Sequence, residues 1–159
     1  MCKIISLFYF VFREKFLFLQ HKYIIVVMKK QTIHMEYSLH SKSANVIWNL
    51  LSTAEGLEIW IADKVERDGN KLVLTWGEVW KVCETWTASI VREEKMQRIR
   101  WKWIDDDDED AFVELAMAKS DITNDYTLLI TDHAYEDDID DLKDIWNRNL
   151  KRLHRKTGL

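Results

Sequence analysis

The feature that most constrains this fold is a switch in hydrophobic period. From Val65 to His133 apolar residues recur at alternate positions, whereas from about Asp138 to Lys156 they recur at helical spacing. Leu72, Leu74 and Trp76 share a face, and a long run from Val79 to Ile90 places Trp80, Val82, Trp86, Ala88 and Ile90 on one parity. Ile99, Trp101 and Trp103 alternate with Arg98, Arg100 and Lys102, followed by a row of Val113, Leu115 and Met117. Tyr126, Leu128 and Ile130 form the last row. Such alternation belongs to antiparallel strands with one face solvated. Asp68-Gly69-Asn70 predicts a hairpin, because glycine tolerates positive φ, and Glu93-Glu94-Lys95 predicts a turn. In the closing helix Ile139, Leu142, Ile145, Trp146, Leu150 and Leu153 form one stripe. Its first turn is acidic and its last turns are basic, which complements the helix dipole at both ends.

Upstream, Gln31–His40 alternates with Ile33, Met35, Tyr37 and Leu39 on one face, as a half-buried strand does. Ser41 or Ser43 can cap a first helix with a stripe of Ala44, Ile47, Leu50 and Leu51, and a second short helix ends near Ala62-Asp63. The order is strand, two helices, six strands and a long helix, which is an α+β arrangement.

The stretch VIWNLLSTAEGLEIWIAD (46–63) joins two helical runs at Thr53–Gly56, each with a tryptophan near its apolar face. It resembles the opening helices of START-like, helix-grip domains. It is especially similar to the small bacterial branch related to the Aha-type activators of heat-shock-chaperone ATPase. The segments WKWIDDDDED (101–110), TNDYTLLITDHAYEDD (123–138) and IWNRNLKRL (145–153) extend the resemblance over residues 31–157. It implies a curved antiparallel sheet wrapped around a long C-terminal helix.

A chain of 159 residues fits one domain. Residues 1–27 carry seven of the nineteen aromatics without a sustained period, and their apolar run Ile4–Phe12 is too short to span a bilayer as a helix. No small-residue cleavage site follows it. The expectation is that residues 1–27 are an extension from translated upstream sequence, with a membrane-surface anchor as the alternative, and that 28–159 form the domain. Residues 1–27 have a charge of +3 against −4 for the whole chain, leaving −7 for 28–159. An acidic domain argues against binding a nucleic-acid backbone. Cys2 and Cys83 have no metal-type spacing, and a reducing, cytoplasmic setting fits two isolated thiols.

Eight tryptophans make either a ring-built core or an aromatic-lined pocket. The candidate cavity residues are Leu74, Glu84, Trp86, Trp101, Trp103, Met117, Trp146 and Leu150. Glu84 reads as inward between Val82 and Trp86, where a carboxylate would meet a ligand's polar head or act as a base; a bulge after Gly77 or a solvated strand end accounts for it more simply. Asp132 also has inward parity, but a cap on the following turn is the simpler expectation. His133, His34 and His40 read as exposed. Asp105–Asp110 lacks the spacing of a calcium loop and reads as a solvated hairpin tip. No metal, nucleophile-elbow or phosphate-loop motif appears, so no cofactor is expected. The leading expectation is a non-enzymatic domain that binds a small apolar ligand. The alternatives are a protein-interaction module with a packed core and, more distantly, a cyclase-like enzyme.

Overall fold

The computed structural model describes residues 29–77 and 83–159. The expectations for residues 1–27, and for Trp80 and Val82, fall outside them. Strand β1 spans Gln31–Leu39, followed by helices α1 (Ala44–Ser52) and α2 (Ala54–Trp60). Six strands follow: β2 (Lys64–Asp68), β3 (Lys71–Trp76), β4 (Glu84–Glu94), β5 (Arg98–Trp103), β6 (Val113–Lys119) and β7 (Tyr126–Ala134). A 3-10 turn at Glu136–Asp138 leads into α3 (Ile139–Thr157).

The strands form one antiparallel sheet in the order β1-β7-β6-β5-β4-β3-β2, a meander whose last strand takes the first as its neighbour. The hairpin at Gly69 has φ 55°, as its sequence demands. The expected turn at Glu93-Glu94-Lys95 sits later. Strand β4 runs through Glu94, and the chain reverses over Lys95–Gln97 with Met96 at φ 60°. A bulge between Ile90 and Arg92 shifts the parity there.

The two short helices are joined by a single residue. Thr53 Oγ1 donates to the Asn49 carbonyl (2.7 Å), closing α1, and accepts the Gly56 N–H (3.0 Å), opening α2. The helices approach so closely that a Cβ on Gly56 would lie 2.0 Å from the Asn49 carbonyl oxygen. Only glycine fits there. Trp60 is fully buried and donates its indole N–H to the Leu50 carbonyl (3.0 Å), locking the pair.

The core fills the space between the inner sheet face and the helices. Leu72, Leu74, Ile99, Leu115 and Leu128 are fully buried from the sheet, and Trp146, Leu150 and Leu153 are buried from α3. Each such aliphatic side chain contributes about 1.5–3 kcal/mol by leaving water. Helix α3 leans on α2 and β7, with the Trp60 and Trp146 rings 6.1 Å apart, and it ends at Gly158 in the left-handed region. Among the described residues no helix is long and apolar enough to cross a membrane.

Candidate functional site

The eight expected cavity residues divide into two groups. Leu74, Trp101, Met117, Trp146 and Leu150 are core residues. Glu84, Trp86 and Trp103 come together at one end of the inner sheet face, where all three are half-buried. Trp76, outside the expected set, joins them. Register explains the gathering: Trp76 stands opposite Glu84, Leu74 opposite Trp86, and Ala88 opposite Trp103. The Trp103 ring lies 5.3 Å from Trp86 edge-on, 6.5 Å from Trp76 and 6.4 Å from Trp101. These are the separations at which aromatic pairs attract.

Two of these rings are fixed at their polar edges. Trp76 donates its indole N–H to the Ile61 carbonyl (2.8 Å), and Trp86 donates to Glu84 Oε1 (2.7 Å). The bulge expected after Gly77 lies outside the described residues; the pairing of β3 with β4 is regular from Lys71 to Trp76, and Glu84, opposite Trp76, has the inward parity of Trp86. Deeper on this face Trp101 is 1% exposed, and its indole N–H has no acceptor among the described residues. A buried donor in that position is a place for a ligand acceptor or a water.

Asp132 departs from its expected role. It caps nothing beyond its own neighbour and instead points inward, buried opposite Ile33. Its Oδ2 accepts the Trp146 indole N–H (2.9 Å) and its Oδ1 accepts the His133 backbone N–H (2.7 Å). Burial pushes its carboxyl from 3.8 up to about 7, against the opposing pull of those two donors and of Lys30. His133 is half-buried rather than exposed, with Nδ1 2.8 Å from the Phe112 carbonyl oxygen and its ring tilted at 60° against the Phe112 ring.

The acidic loop is likewise no free hairpin tip. Asp106 grips Lys30 Nζ through both oxygens (2.6 and 2.7 Å), with both side chains about nine-tenths buried. Asp108 accepts the Lys30 backbone N–H (3.1 Å), and Asp110 pairs with Lys29 (3.0 Å). Although burial pushes the Asp108 carboxyl up, the Asp110 and Lys30 backbone N–H groups hold it below its ordinary value. The two acidic runs meet around Tyr135, whose hydroxyl is pushed up by burial and by the nearby Asp106–Asp108 and Asp138. Sequence reasoning missed this clasp because its partners lie 76 to 81 positions apart. Among the described residues no group of three or more His, Cys, Asp and Glu side chains could hold a metal ion.

The family model of the START-like superfamily domain matches residues 27–159. The chain belongs to the START-like superfamily. Its helix-grip architecture also appears in a solved protein of Bacteroides fragilis, 40% identical over 80% of this chain and 91% of that one, with a TM-score of 0.56. The START-like domain is similar in fold to the Aha1 dimer of Colwellia psychrerythraea (14% identity, 80% and 98% of the two chains, TM-score 0.61). CalU16 of Micromonospora echinospora shares the fold at 15% identity, over 79% and 75% of the chains, with a TM-score of 0.61. No curated protein matches the sequence.

Proposed function

We propose that this START-like domain binds a small apolar ligand at the open end of its inner sheet face, and carries out no chemistry on it. One observation carries the reading: Trp76, Trp86 and Trp103 lie half-exposed against one another on a face whose deeper residues are core. Large rings left partly in water gain by being covered, and the polar edges of Trp76 and Trp86 are already committed, so an apolar body is what they favour. The absence of chemistry is supported by Asp132, whose two oxygens are both occupied by donors within the protein. The reading takes 28–159 as the folded unit of a cytoplasmic bacterial protein.

Native mass spectrometry of the full chain, purified gently from a bacterial host, tests it. A mass excess released as a discrete small molecule is the expected result. A bare monomer mass that stays bare after incubation with small aromatic compounds overturns it. A doubled mass with no small molecule favours the protein-interaction reading instead, in line with the dimeric Aha1 neighbour.

A further inference from the structure

The charge pattern of the sheet distinguishes Glu84 from the glutamates around it. Along β2, β4 and β6 every other glutamate has a cation: Glu66 has Lys64, Glu93 has Arg67, Glu94 has Arg92 and Arg98, and Glu114 has Arg98 and Arg100. Glu84 is joined to the Trp86 indole and to no cation among the described residues. It also stands on the inner face, level with Trp76 and beside Trp86, whereas Glu93, opposite Ile99 on that face, is held by Arg67.

A ligand lying over Trp86 and Trp103 removes water from this carboxylate. A neutral ligand leaves that loss uncompensated, and an anion adds repulsion. A cation replaces the water with an ion pair, and its charge is also attracted by the π-faces of the surrounding tryptophans. The −7 charge of residues 28–159 favours the approach of the same sign of ligand.

We propose that the ligand is a small organic cation with an apolar body, its positive group held by Glu84 and its body against Trp76, Trp86 and Trp103. The proposal rests on the apolar-site reading above and adds the sign of the charge. It is tested with three probes of matched shape: protonated phenethylamine, neutral phenethyl alcohol and anionic 3-phenylpropionate. Each is titrated by NMR into the full chain and into Glu84→Gln, which keeps an acceptor for Trp86 and removes the charge. Circular dichroism confirms that the variant is folded. The expected result is binding of the amine about tenfold tighter than the alcohol, with the preference abolished in Glu84→Gln and the alcohol bound at least as tightly by the variant as by the wild type. Equal binding of amine and alcohol, or an amine preference that survives Glu84→Gln, overturns the charge assignment and leaves the apolar site standing. Failure of all three probes to bind overturns the apolar site together with the proposal.

Discussion

Asp132 makes the folded state of this domain sensitive to pH in a direction opposite to that of a salt-bridged carboxylate. Its folded pKa of about 7 lies above the ordinary 3.8, so the folded chain binds the extra proton. Stability from this group is fully present below the unfolded pKa and is lost as pH rises through the folded one. Each pKa unit is worth ~1.4 kcal/mol, so the ionised carboxylate costs the folded state about 4 kcal/mol above neutrality. Replacement by asparagine removes the titration but puts an NH2 group against one of two N–H donors, at a cost of about 1–3 kcal/mol. Urea unfolding of both proteins from about pH 4.5 to about pH 8.5 separates the two effects, because subtracting the curves cancels the histidines and other shared groups. Wild type is expected to be the more stable at the acid end. Its advantage over Asp132→Asn should shrink by several kcal/mol toward pH 8, and the order can reverse. A difference that stays flat between pH 5 and 8 would refute the reasoning, since Asp132 would then titrate as an ordinary carboxyl.

Other consequences follow from the same contacts. Lys30→Met leaves Asp106 buried without its cation and should cost about 3 kcal/mol or more, read from thermal or urea unfolding. It should also move the Asp132 transition to higher pH, because Lys30 lowers that pKa. Gly56→Ala drives a methyl into the Asn49 carbonyl oxygen and cannot be relieved by a side-chain rotation, so a loss of about 3 kcal/mol or more is expected in the same assay. A near-neutral result would mean that α1 and α2 separate easily.

Much of the architecture can be read from period alone, and the exceptions have physical causes. The strand rows Leu72–Trp76, Ile99–Trp103 and Val113–Met117 keep their faces because a one-residue slip would expose every apolar member. The stripe of α3 survives because both its charge ends agree with the dipole. Parity marked Asp132 and Glu84 as inward, but the preference for a cap at Asp132 failed. Its indole partner lies fourteen residues away on another element, and the deciding interaction is therefore tertiary. The Asp106 clasp was hidden for the same reason: six acidic residues in a row look solvated until a lysine from the start of the domain is laid across them. The division of the tryptophans into core and half-exposed face depends on where the helices lean, which no local pattern encodes.

The central claim is that the open tryptophan face is where a ligand sits. Its most direct test is an NMR spectrum of the eight indole N–H groups, assigned by single Trp→Phe substitutions, with and without phenethylamine. The account predicts that the Trp76, Trp86, Trp101 and Trp103 resonances move while Trp48, Trp60 and Trp146 stay in place. Movement confined to Trp60 and Trp146, or none at all, would contradict it.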